Sequence, residues 1–331
     1  MIRSFDWRDF PALHRHRRQG LVLDADLALT RWMTLVPAGA LLATLAPATG
    51  IFTYVGTNED NSSRPVIGQF THTSGAQTAR LTFITPEDEI NSPDAPALLD
   101  HLAAQAGRHG ALNLLAEVNE KSEAYDALRK AGFAIYTRQQ IWEIIDRPDD
   151  EKSTTTAGAW RPAVVSDEAA VHGLYRSLIP ALVQQSEPPP WIGLNGLVYD
   201  PEGELLAYLH LHYGPTGIMA HPFLHPDIEP VTELLGSLAE NIAHRRNRPL
   251  YLAVRSHQAW LGPHLQELGF KAGERQAVMV RRLAVAQRMK MPLKLPGAAL
   301  ENVQPEITTT LSSAGEGVRM ARNRYGRHRR G

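Results

Sequence analysis

The residues of this chain whose type and spacing could do chemistry are first its histidines. His210 and His212 lie two apart in the strand-like run Leu205–His212, so both side chains leave one face of a strand. His221 ends the next such run, Gly217–His221, and His225 follows four residues later. Imidazoles gathered in this way can donate lone pairs to a metal ion or take a proton from a substrate. No acid or further histidine at a recognised metal-ligand spacing completes the set, so the expectation is no metal and a cleft lined by sheet-face histidines. The 331 residues include 14 His and no Cys. That excludes disulfides, thiolate metal sites, iron–sulfur clusters and cysteine nucleophiles, and fits a reducing compartment.

The second chemical feature is a tail, Arg319–Gly331, with Arg319, Arg322, Arg324, Arg327, Arg329 and Arg330 and no acid. Such a segment can neutralise nucleic-acid phosphates, with Tyr325 to stack on a base. No nucleic-acid-binding fold signature accompanies it, and a solvated terminus is the preferred reading, as it is for the shorter run Arg15, Arg17 and Arg18. Over the whole chain 34 Lys and Arg offset 35 Asp and Glu, leaving no strong global field for nucleic acid or an anionic membrane. Trp32–Asn58 carries no charge, but Pro37, Gly39, Pro47 and Gly50 interrupt it. It reads as a helix over Ala38–Leu45 and a strand over Ile51–Val55, not as a membrane span. Met1–Gly20 lacks the apolar core of a signal peptide, so a cytoplasmic location is expected.

The elements that must position these residues occur twice. Leu128-Arg-Lys-Ala-Gly132-Phe133 reappears as Leu265-Gln-Glu-Leu-Gly269-Phe270, a shift of 137 residues (265 − 128). The same shift carries Leu115-Ala116 onto Leu252-Ala253, Arg138-Gln139 onto Arg275-Gln276 and Ile141 onto Val278. An ordered series of this kind indicates tandem duplication. Periodicity and punctuation give each copy one order: a strand, helices, three meander strands, a helix, a strand, a helix and a last strand. In the first copy the later elements are Val66–Thr73, Ala79–Thr85, a helix over Ala95–Gln105, Leu112–Val118, a helix over Glu123–Ala131 and Phe133–Ile145. In the second they are Leu205–His212, Gly217–His221, a helix from Val231 to Ile242, Leu250–Val254, a helix over His257–Leu268 and Gln276–Leu283.

This order resembles the GNAT N-acetyltransferase superfamily. The carriers are Leu115-Ala-Glu-Val-Asn119 followed by Glu123–Phe133, and Leu252-Ala-Val-Arg255 followed by His257–Phe270. Gly132 and Gly269 stand where a helix C-terminus calls for a left-handed residue, and each following Phe can pack back on the sheet. The resemblance covers most of residues 1–283. It implies an α/β fold, a mixed α+β sheet splayed into a V, in two tandem domains: 1–146 and 160–286, joined by a linker at 147–159 and followed by an irregular, Arg-rich tail at 287–331. It implies acyl transfer from acetyl-CoA or another acyl-CoA, held beside the fourth strand of a copy, to a small-molecule or peptide amine. The partners so implied are that amine and no membrane, in a monomer with paired domains or a homodimer.

On the same resemblance, Phe83, Ile84, Thr85, Asn91, Ser92 and Asn119 in the first copy, and Ala220, His221 and Pro222 in the second, are the cofactor-binding expectations. Glu117, Tyr125, His210 and His212 are the catalytic ones. Departures from the family pattern are as informative. The loop expected to cradle pyrophosphate with glycines and an arginine reads Pro86-Glu-Asp-Glu-Ile-Asn-Ser-Pro-Asp94 in one copy and His225-Pro-Asp-Ile-Glu-Pro-Val-Thr-Glu233 in the other. Glycine admits backbone N–H groups to phosphate, whereas a carboxylate ~4 Å away costs about 1–4 kcal/mol. Asp94 is expected to cap its helix. The tyrosine expected to protonate the leaving thiolate is replaced by Leu128 and Leu265, which carry no proton to give. Tyr125, one turn earlier, is the substitute if there is one. At least one copy is therefore expected to be degenerate, and the alternative to an enzyme is a non-catalytic binding or interaction protein on the same duplicated fold.

Overall fold

Alternating apolar residues pair into thirteen strands of one mixed sheet in the computed structural model. It describes residues 1–16, 20–31, 50–57, 64–144, 160–187, 189, 194–238, 242 and 248–283. The strands are β1 (Ile2–Ser4), β2 (Leu21–Val22), β3 (Ile51–Gly56), β4 (Val66–His72), β5 (Thr78–Thr85), β6 (Asn113–Asn119) and β7 (Ala134–Ile144), then β8 (Arg161–Pro162), β9 (Gly196–Tyr199), β10 (Ala207–Tyr213), β11 (Ile218–Leu224), β12 (Leu250–Arg255) and β13 (Lys271–Arg282). The described helices are α1 (Phe10–His16), α2 (Ala25–Thr30), α3 (Ala95–Arg108), α4 (Glu123–Lys130), α5 (Glu168–Leu178), α6 (Ala181–Ser186), α7 (Val231–Gly236) and α8 (Gly262–Glu267). The expected helix at Ala38–Leu45, the linker at 147–159 and the tail from 287 lie outside the described residues.

Strand order exposes the duplication. It runs β1-β3-β4-β5-β6-β13-β7-β12-β11-β10-β9-β8, with β2 attached to β5. Read from either end, the order is the same once β1 is matched with β8, β3 with β9, and so on to β7 with β13. The last strand of each half is exchanged: β13 pairs with β6 of the N-terminal half, and β7 pairs with β12 of the C-terminal half. Packing follows the exchange. Phe133 and Ile135 pack with the first core, while Trp142 and Ile144, further along the same strand, lie in the second. Likewise Phe270 is in the second core and Ala277 and Met279 are in the first.

The two Gly-Phe motifs do what their position requires. Gly132 has φ +84° and Gly269 has φ +81°. Phe133 N–H donates to Leu128 O at 3.0 Å and Phe270 N–H to Leu265 O at 2.9 Å, closing each helix with a Schellman turn. Asp94 departs from expectation. Its backbone is already helical and its side chain caps nothing; Pro96, within the first turn of α3, is one donor fewer to satisfy. The helix expected over His257–Leu268 is a 3-10 segment Ser256–Leu261, kinked where Gln258 leaves helical geometry, followed by α8.

Candidate functional site between the two halves

Each half divides its strands between two faces. Ala79, Leu81, Leu114 and Ala116 face one core under α3, and Leu209, Ala220, Leu252 and Val254 face the equivalent core under α7. The opposite faces, carrying Arg80 and Leu115 from one half and His210, His212, His221 and Arg255 from the other, line a shared cavity of 650 Å³. That size suits a small molecule.

Asp26 enters this cavity from the other half. Helix α2 lies against the β10–β11 hairpin, where Thr216 N–H donates to Thr30 O at 3.2 Å and Thr216 Oγ1 donates to Leu29 O at 3.0 Å. Only glycine permits that approach, since a Cβ on Gly214 would stand 2.2 Å from Thr30 O. Asp26 Oδ1 then meets His221 Nε2 at 2.8 Å, and Asp26 Oδ2 lies 3.6 Å from His212 Nε2. Burial opposes ionisation of Asp26, but His221 and His212 hold its carboxyl well below the usual range. Burial pushes His210 down to about 3, and its Nδ1 is 2.9 Å from Tyr208 Oη; His212 is lowered by burial as well.

A buried polar network runs on from there. Glu117 Oε2 accepts from Ala25 N–H (2.9 Å) and Gln139 Nε2 (3.0 Å), and its Oε1 faces Arg80 (3.3 Å) and Arg255 (3.8 Å). Glu187 contacts Arg255 (3.0 Å) and Arg80 (3.5 Å) and accepts from Tyr136 Oη. Burial raises Asp24 to about 6, against the pull of Arg80.

The slot between β5 and β6 is filled by the chain itself. These parallel strands pair only from Thr78 to Arg80 with Asn113 to Leu115, and then part. β2 enters the gap antiparallel to β5, Leu21 opposite Ile84 and Val22 opposite Phe83. Leu23 bridges both walls: its N–H donates to Thr82 O at 2.9 Å and its carbonyl accepts from Glu117 N–H at 2.8 Å. The equivalent strands β11 and β12 pair from Ile218 to Ala220 and part likewise. There the Gln258 carboxamide, with its nitrogen toward Pro222, donates to Pro222 O at 2.5 Å and accepts from Leu224 N–H at 2.9 Å. Gln258 is buried.

A GCN5-related N-acetyltransferase from Sphaerobacter thermophilus has this architecture: TM-score 0.51 at 14% identity, covering 85% of this chain and 95% of its own. The chain has the GNAT fold, in tandem. A putative acetyltransferase from Pyrococcus horikoshii (TM-score 0.49, 9% identity, 86% of this chain and 90% of its own) is also similar. So is a tandem GNAT protein from the clavulanic acid biosynthesis pathway (TM-score 0.44, 16% identity, 71% and 84%). No protein-family model matches the sequence, and no curated protein does. No described helix is long and apolar enough to cross a membrane.

Within this GNAT fold the expected site residues separate. His210, His212, His221 and Pro222 gather at the cavity, with Glu117 beneath it in the polar network. Tyr125 does not join them; it packs against the first core with Arg129 over its ring at 5.8 Å. Ala220 is paired with Leu252, and Phe83 and Ile84 are paired with β2, while Thr85 Oγ1 donates to His16 O. Asn91 donates to Glu123 at 2.6 Å, Ser92 Oγ is buried without a partner, and Asn119 is engaged by Glu274 and Lys121 N–H. The cleft beside Asn91 mixes Arg64 and Lys121 with Glu87, Asp88 and Glu123, and Arg64 is paired to Asp88 at 3.2 Å. Asp26, Arg80, Glu187, Arg255 and Gln258 were invisible as site residues in the sequence. Their signal is placement by the fold: Asp26 reaches His221 and Arg80 reaches Glu187 across the halves, while Arg255 and Gln258 meet partners in their own half.

Proposed function

We propose that this protein uses the tandem GNAT fold as a ligand-binding scaffold rather than as an acyl-CoA enzyme, and that the cavity between the halves takes a small ligand carrying positive charge. Leu23 carries the reading. In GNAT proteins the resemblance puts the donor beside the fourth strand of the domain, here β5, and Leu23 takes up one main-chain group on each wall of that slot. The second slot is capped by Gln258, neither loop before α3 or α7 supplies a phosphate cradle, and Leu128 and Leu265 are fully buried aliphatics where a proton donor would stand. The cavity wall carries Asp26 and Glu187 against two guanidiniums, Arg80 and Arg255, and Asp24 and Glu117 stand behind it in the polar network. Counted with those two, the excess of acid favours a cation.

A second reading rests on one difference between the slots. Gln258 is a side chain, and the cavity reaches it, so a rotamer change can open the C-terminal slot to acyl-CoA. A small-molecule or peptide amine in the cavity would then attack the thioester carbonyl and expel the thiolate. Its proton would pass to His212 or His221; His210, at about 3, is too weak a base near neutral pH.

Calorimetry with acetyl-CoA separates the two. No binding to the wild type is expected. Tight binding, with release of free thiol when an amine panel is added, would overturn the first reading. Binding and turnover gained only by Gln258→Ala would favour the second.

A further inference from the structure

The cavity contains a group of ligand atoms that belongs to neither slot. Asp26, His212 and His221 each present one oxygen or nitrogen, and these atoms all lie within 4.8 Å of one another. They come from α2 of one half and from β10 and β11 of the other, so the site exists only where the halves meet. In a tetrahedral zinc site with bonds of about 2.0–2.1 Å, ligand atoms stand roughly 3.3 Å apart. Asp26 Oδ1 is 2.8 Å from His221 Nε2 and Asp26 Oδ2 is 3.6 Å from His212 Nε2, so the two contacts use different carboxylate oxygens and small side-chain shifts would bring one oxygen and both nitrogens to that spacing.

Charge argues the same way. An isolated Asp–His pair needs no more than a proton between them. Here the neighbourhood holds Asp24, Asp26, Glu117 and Glu187 against Arg80 and Arg255, with Arg31 on the side of His212, so the acids outnumber the guanidiniums by one. A cation is favoured over an anion by that balance, and two imidazoles with one carboxylate are the donor types that zinc and its neighbours prefer. The Tyr208 hydroxyl fixes His210, whose ring packs edge-on against His212 at 4.6 Å between centroids and so orients it.

We infer that Asp26, His212 and His221 bind a divalent transition metal, with zinc the best match, and that a fourth coordination position opens on the 650 Å³ cavity. The inference rests on the cavity being the binding site, and it names the cation that site would take. A bound metal would tie helix α2 to the β10–β11 hairpin and leave one position for water or a ligand.

The test is titration of the full, chelator-treated chain with zinc, followed by cobalt(II), whose visible absorption reports tetrahedral coordination. One zinc per chain is expected. Asp26→Asn, which keeps the shape of the side chain, and His212→Ala, at a half-exposed position, each remove a direct ligand and should weaken binding by more than the roughly tenfold to hundredfold typical of an outer-shell change, and abolish the cobalt spectrum. Absence of stoichiometric zinc uptake would overturn the inference, as would uptake indifferent to both variants, which would place the metal on other histidines such as His14 and His16. The outcome is independent of acetyl-CoA. A chain that binds neither loses the metal site and keeps its closed slots; one that binds zinc and also turns over acetyl-CoA keeps the metal site and loses the scaffold reading.

Discussion

Gln139 and Gln276, which occupy equivalent positions in the two copies, stand opposite each other on β7 and β13, and Gln139 Nε2 donates to Gln276 Oε1 at 2.8 Å. The local two-fold relation between the halves passes between these residues. The centre of the sheet is thus built from the two exchanged strands, and Glu117 below reaches Gln139 as well.

Separation of the halves should therefore fail to give two independent monomers. Residues 1–146 alone keep β7 but lose β12 and β13, its sheet neighbours on either side. Expressed singly, each half should aggregate or form a homodimer in which the partner's last strand replaces the missing one. Co-expression should restore a one-to-one complex, read by size-exclusion chromatography with light scattering.

Glu187 supplies a pH prediction. Burial alone would raise its carboxyl, yet Arg255 and Arg80 beside it hold it below the ordinary carboxylate value. A group held low in the folded state stabilises the fold above its unfolded pKa, and that contribution is lost as pH falls through the folded value. Glu187→Gln should cost about 3 kcal/mol near neutral pH by leaving two guanidiniums short of a partner. The gap from wild type should begin to narrow below about pH 4, where the unfolded carboxyl takes up a proton and the native one does not, and should close as pH falls through the lower native value, as followed by urea unfolding across pH.

Leu23 gives a packing prediction. Its side chain is 1% exposed and joins the first core. Leu23→Ala should destabilise by about 3 kcal/mol, while the volume-conserving Leu23→Met should cost less than about 1.5 kcal/mol. Equal denaturation midpoints for the two variants would show that the slot is filled by the backbone of β2 with no contribution from this side chain.

The order of elements was legible in the sequence because alternation and helical stripes depend on local burial, and the repeat from Leu115 to Val278 preserves both. The opening of the repeat was not. Arg3 pairs with Asp9 at 2.6 Å and Arg161 with Asp167 at 2.7 Å, each Asp also accepting a backbone N–H three residues back at 2.9 Å. Arg followed six residues later by Asp was the available signal, hidden because its offset differs from that of the later elements. Strand exchange left no trace, since an apolar pattern fixes which face of β7 or β13 is buried and says nothing of the neighbour beside it. β2 is two residues long, too short for any periodicity, and Asp26 is tied to His221 across 195 positions of chain.

Both described ends of the sheet finish in very short strands, three residues in β1 and two in β8, the latter containing Pro162. A stranger's extended chain finds little ladder to extend there, and proline withholds one of the few donors. The tandem arrangement thus closes its centre by exchange and blunts its margins by brevity, which guards a wide sheet against growing into fibres by strand addition.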